Sequence, residues 1–134
     1  MASIFSKIIA GELPCYKVYE DDKHFCFLDI RPVVKGHTLV IPKKEVDYIF
    51  DLNSDEYIEL MMTARKIAKA MKKVIPCNRI GVAVVGLEVP HTHIHLMPIN
   101  AVSDMNFKNP PISLSVDEYE QLRGKYLLLL NSSF

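Results

Sequence analysis

Neither sign of charge is in excess here: sixteen Lys and Arg residues balance sixteen Asp and Glu. Nonspecific binding of long nucleic acid needs a basic surface, so this balance argues against such a partner. It leaves room for one small nucleotide in a local site. The chain also lacks any apolar run approaching the roughly 20 residues that span a bilayer. No basic segment followed by an uninterrupted apolar stretch opens it, so no secretory signal is read. No membrane partner is expected, and the expected compartment is the cytoplasm. Cysteine is scarce and odd in number: Cys15, Cys26 and Cys77 are far apart, which suits reduced thiols and not a disulfide framework. Neither Cys-x-x-Cys nor His-Glu-x-x-His occurs, so no zinc motif is at hand. Repeats, linkers and low-complexity tracts are missing as well. With 134 residues, 49% apolar and 24% charged, residues 1–134 read as one domain large enough for a genuine core.

What is present is a set of short segments with clear punctuation. Apolar residues at 4, 5, 8 and 9 predict a short helix over 3–9, closed by Gly11 and Pro14. Tyr16–Tyr19 and His24–Leu28 read as strands around a tight turn at 20–23. Gly36 precedes His37–Ile41, a β-branched run that predicts a buried central strand ending at Pro42. The strongest helix signal covers Ser54–Ile75, with Asn53 and Glu56 spaced as a capping box. Its apolar stripe is Tyr57, Met61, Ala64, Ala68, Met71 and Ile75. A strand over Ile80–Val85, a loop at 86–90, a turn-rich loop at 100–111 and a helix over Ser115–Leu130 complete the order. Strands concentrated in one part and two principal helices elsewhere predict an α+β domain with a mainly antiparallel sheet.

The chemistry lies in His91-Thr92-His93-Ile94-His95-Leu96-Met97, where three of the five histidines alternate with other residues. In a strand, period two would set the three imidazoles on one face and Thr92, Ile94 and Leu96 on the other. Imidazoles on alternate strand positions can ligate zinc, given a further ligand from elsewhere. They can also serve phosphoryl or nucleotidyl transfer. One neutral ring attacks phosphorus, and its neighbours donate to the charge that develops on the phosphate oxygens.

This run resembles the signature of the histidine-triad (HIT) family of nucleotide hydrolases and transferases. The resemblance extends to Ile4–Pro14, Val18–Asp22, Phe27–Pro32 and Gly36–Lys43, and so covers residues 3–99 in family order. It is nearest to the small nucleoside-phosphoramidate hydrolases and their bacterial relatives. It implies a five-stranded sheet per subunit, a homodimer whose sheet crosses both subunits, a purine nucleotide as substrate and no cofactor. It implies that His93 is the nucleophile at the α-phosphorus and that His95 contacts the phosphate. It implies further that His91 and His37 orient the site and assist proton transfer to the leaving group. Asp29 corresponds to the carboxylate on the ribose hydroxyls. Ile4, Phe5, Ile8, Leu13, Phe27, Leu28 and Ile30 correspond to the apolar walls around the base. Residues 100–134, a loop and a helix, diverge from the family pattern.

Two departures stand out. Leu87 follows Gly86 where the family commonly has glutamine, and Ile80 falls where it commonly has asparagine. Contact between the loop and a phosphate would then rest on the N–H groups of Glu88 and Val89. Some bacterial relatives hold zinc through an N-terminal Cys-x-x-Cys; Ser3 and Ser6 occupy that spacing here, so no metal is expected. The reading is a hydrolase releasing a nucleoside monophosphate through a nucleotidyl-histidine intermediate. The alternatives are a purine-nucleotide-binding module with little turnover and a dinucleoside polyphosphate hydrolase.

Overall fold

A computed structural model describes residues 2–131. The Ser3 hydroxyl accepts from the Ser6 N–H and starts α1 (Ile4–Ile9), satisfying one of the donors that a helix start leaves unpaired. β1 (Tyr16–Glu20) and β2 (His24–Leu28) form an antiparallel hairpin. The Asp21 carboxylate closes its turn by accepting from the N–H groups of Lys23 and His24. β3 (Thr38–Pro42) follows, every residue of it buried. Gly36 introduces it at φ +87°, and a Cβ there would overlap Ile75 Cδ1. Only glycine fits both demands, and it is this turn that delivers His37 to the start of β3.

α2 (Ser54–Val74) carries the expected capping box between Asn53 and Glu56. Its buried face consists of Leu60, Thr63, Ala64, Ile67, Ala70 and Met71. The stripe read from the sequence is therefore rotated: Tyr57, Met61 and Ala68 flank the core and are only partly buried. The helix lies against the sheet and also against the last helix, so it buries a face wider than a single stripe. β4 (Arg79–Ala83) is shorter than predicted, β5 is Ile94–Ile99, and α3 is Val116–Asn131.

The five strands order as β1-β2-β3-β5-β4, every pairing antiparallel. This is the α+β architecture expected. Strand residues alternate between two faces. One face holds Val18, Cys26, Leu28, Val40, Ile94 and Leu96 and is packed with the buried side chains of α2 and α3 in the main core. The other face holds Phe25, Phe27, Leu39 and Ile41, covered by Phe5 of α1 and edged by Ile8, Ile9, Cys15 and Val89. α3 packs on β1 at one end of the sheet, whereas β4 has no strand beyond it among the described residues. Cys15, Cys26 and Cys77 are free thiols. No helix among the described residues is long and apolar enough to cross a membrane.

Candidate active site

The histidine run is not strand throughout. β5 begins only at Ile94, because the preceding residues bond elsewhere. Thr92 gives both its N–H and its hydroxyl to the Val46 carbonyl, at 2.7 and 2.6 Å. The His91 N–H bonds to the Val89 carbonyl at 2.8 Å. This stretch is thus tied to the segment after β3, and the three imidazoles take up three different environments.

His93 is buried beneath the edge of Phe5, with ring centroids 4.9 Å apart. Its Nδ1 lies 2.7 Å from the His91 carbonyl oxygen. A carbonyl can only accept, so Nδ1 carries a proton, and in the neutral ring Nε2 is the nitrogen with the lone pair. That is the tautomer a nucleophilic imidazole needs.

His95 and His37 form a pair on the same face. The Val33 N–H donates to His37 Nδ1 at 3.1 Å. His37 Nε2 therefore holds that ring's proton and donates it to His95 Nδ1 at 2.9 Å. His95 in turn carries its own proton on Nε2, a neutral donor. Burial pushes His37 down to about 4, with the neighbouring His93 adding to the effect. Burial likewise pushes His95 down to about 3, assisted by His37 and His93 and opposed by Asp29. Both rings are neutral at pH 7, which keeps the proton order intact.

Asp29 places its Oδ2 3.6 Å from His37 Nε2, and its Oδ1 accepts from the Arg31 N–H at 2.9 Å. One ligand atom each from Asp29, His37 and His95 lies within 4.8 Å of the others, a span a cation could fill. The tautomers oppose that use. A cation would have to displace the Nε2 proton of His37, while the Val33 N–H already occupies Nδ1. His37 and His95 are wired as a chain of proton donors, with the Asp29 carboxylate an acceptor beside His37.

His91 differs from both. It is fully buried, its Nε2 donates to the Pro42 carbonyl at 2.7 Å, and Ser3 Oγ lies 2.8 Å from its Nδ1. Burial lowers its pKa. Both ring nitrogens are thus engaged within the protein, which does not suit the expected part in proton transfer.

The apolar residues divide in the same way. Phe5 and Phe27 pack edge to face at 5.6 Å beside the histidines, with Ile8 and Val89 against the same cluster. Ile4, Leu13 and Ile30 sit at the surface, where a ligand could cover them. Leu28 is not brought to the site. It points to the helix-covered face and joins the main core, because its neighbours Phe27 and Asp29 take the opposite face. Glu88 is exposed, and Leu87 is 89% exposed. Ile80, where the family commonly has asparagine, pairs with Pro98 and packs against the main core.

Several participants were not foreseen. Phe107, from the loop after β5, lies edge-on to His95 at 4.8 Å and to His37 at 6.2 Å. Its loop is held by the Ile112 N–H on the Pro32 carbonyl. Tyr119 of α3 donates its hydroxyl to the Asp29 carbonyl at 2.8 Å. No periodicity marks Phe107, and its turn-rich surroundings read as plain surface. Ser3 and Ser6 were visible only as a spacing; both are tied to Glu45.

The HIT domain matches residues 10–102. An uncharacterised HIT-like protein of Borreliella burgdorferi is 36% identical over 127 residues, covering 89% of this chain and 91% of its own. An adenosine 5′-monophosphoramidase of Saccharomyces cerevisiae is 38% identical over 101 residues, covering 72% of this chain and 62% of its own. A HIT-like protein of Bartonella henselae, described as involved in cell-cycle regulation, superposes with a TM-score of 0.81 at 33% identity, covering 94% of each chain.

Proposed function

The chain belongs to the HIT-domain family, and on that premise we propose that it hydrolyses a purine nucleoside phosphoramidate or a related nucleotide to the nucleoside monophosphate. The observation that carries this reading is the 2.7 Å bond from His93 Nδ1 to the His91 carbonyl, which makes Nε2 the lone-pair nitrogen of the neutral ring. His93 Nε2 attacks the α-phosphorus, and the P–N bond breaks with its electron pair leaving on the amine, which takes up a proton from solvent that the attacking water of the next step returns. Water then attacks the nucleotidyl-His93 intermediate, releasing the monophosphate and restoring the neutral ring. His95 Nε2–H donates to the phosphoryl oxygens in both steps, held in that tautomer by His37. Asp29 accepts from the ribose hydroxyls, and Phe5, Phe27 and Ile8 line the base.

The described residues cover the histidine side of the sheet with α1 and the residue 102–112 loop, and they leave β4 as a free edge. Val82, Val84 and Val85 along and beyond that edge are 55%, 39% and 47% exposed. Such an edge presents unpaired N–H and C=O groups that a further strand can use. We propose that a second copy supplies it, making the functional unit a homodimer.

The test is release of AMP from adenosine 5′-phosphoramidate by the purified protein with a chelator present throughout. Turnover supports the reading. Tight AMP binding with no turnover, from protein shown to be folded, contradicts it.

A further inference from the structure

Away from the reacting atoms, the molecule holds a second polar network at the start of α1. The Glu45 carboxylate stands three residues beyond β3, and its Oε1 accepts from the Ser3 N–H and from the Ser6 hydroxyl, each at 2.6 Å. Ser3 also serves as N-cap of α1, accepting from the Ser6 N–H at 3.0 Å. Its hydroxyl proton has His91 Nδ1 as the near acceptor at 2.8 Å, with Ser6 Oγ farther off at 3.4 Å. His91 Nε2–H is taken by Pro42, and the His91 carbonyl receives the Nδ1–H of His93. Hydrogen bonds joined through the covalent frames of Ser3 and of His91 therefore lead from Glu45 to the ring of His93.

Each link in the series fixes a proton. The Ser3 N–H and Oγ are held in place by Glu45 and by the helix start. The Ser3 hydroxyl fixes His91 as the Nε2–H tautomer, whose bond to Pro42 locks the ring. A locked His91 sets the position of its own carbonyl, and that carbonyl decides which nitrogen of His93 is protonated. Two hydrogen bonds to a single carboxylate oxygen hold Glu45 at about 2, with the Ser6 hydroxyl the larger cause and the Ser3 N–H the next. Glu45 is thus a constant acceptor across the working pH range, and Phe5, carried by the same helix, is held against His93.

We propose that Glu45 is a positioning residue for the nucleophile, acting through Ser3 and His91 to hold His93 in its Nδ1–H tautomer. The proposal rests on His93 being the nucleophile. Its first test therefore needs no turnover. Nitrogen chemical shifts of the imidazoles report the tautomers in the free protein. In the wild-type chain His93 is expected as a single Nδ1–H form, and in Glu45→Ala and Ser3→Ala as a mixture of the two tautomers. The kinetic arm uses adenosine 5′-phosphoramidate. Loss of one positioning hydrogen bond should lower kcat about tenfold with KM little changed. Glu45→Gln keeps an acceptor oxygen and should recover most of that loss. Circular dichroism and a melting curve check that each variant folds.

A single His93 tautomer unchanged in folded Glu45→Ala would overturn the proposal, and so would a Gln variant as impaired as Ala. A wild-type chain inactive on the phosphoramidate would remove the nucleophile reading alone. The tautomer measurement would still decide the role of Glu45.

Discussion

His37 Nε2 lies 2.9 Å from His95 Nδ1, and the Val33 N–H on the other side of the His37 ring fixes the direction of that bond. A single backbone donor thereby orders two protons in sequence and ends with an N–H on His95 Nε2. The arrangement works only while both rings are neutral, because a protonated His37 or His95 would set two donors against each other.

The first prediction follows from that requirement. Folded values of about 4 for His37 and about 3 for His95 lie below the ordinary 6.5. The unfolded chain thus binds protons that the native one refuses as pH falls from 6.5 toward 4, and stability falls with it. Above 6.5 this contribution is fully present. Imidazole signals of His37 and His95 followed by NMR should stay in the neutral form down to pH 5. A midpoint near 6.5 for either would contradict the wiring.

Phe107 covers the outer side of the same pair. In Phe107→Ala water should reach His95 and His37, with Asp29 and His93 the charged or titratable groups facing them. The acid limb of kcat/KM should then move up by about one pH unit. An unmoved limb would make Phe107 a bystander.

Opposite faces of one strand give a third contrast. Leu28→Ala opens the main core and should cost about 3 kcal/mol of stability, with KM for the folded fraction unchanged. Phe27→Ala should instead raise KM through the base wall. Equal effects of the two substitutions on KM would show that the face assignment fails.

Asp29→Asn should weaken kcat/KM about tenfold to a hundredfold on a ribonucleotide. It should cost little on the 2′-deoxy analogue, for which one acceptor is already idle. Parallel losses on both substrates would assign Asp29 to holding His37 and not to the ribose.

Much of this was legible in the order of residues. β2 runs over the predicted His24–Leu28, and α2 stops one residue short of its predicted end, since a hairpin turn, a capping box and Pro76 are local signals. The histidine set was legible because its chemistry is rare and its spacing close. The fate of His91 was not, because whether a ring reaches substrate or is sealed by Ser3 and Pro42 depends on partners 88 and 49 residues away. Leu28 failed for a simpler reason. A match along the chain ignores that neighbours in a strand face opposite ways, and the parity of Phe27 and Asp29 already excluded it. Phe107 lay beyond any local pattern, since only the anchoring of its loop to Pro32 brings it to His95.

The central claim is a covalent nucleotide on His93, and rapid-quench mass spectrometry of the protein mixed with adenosine 5′-phosphoramidate tests it most directly. A transient AMP adduct should appear and map to His93, absent from His93→Ala, which should lose roughly 10⁴-fold or more in turnover. Near-normal turnover in His93→Ala, or an adduct on another residue, would contradict it.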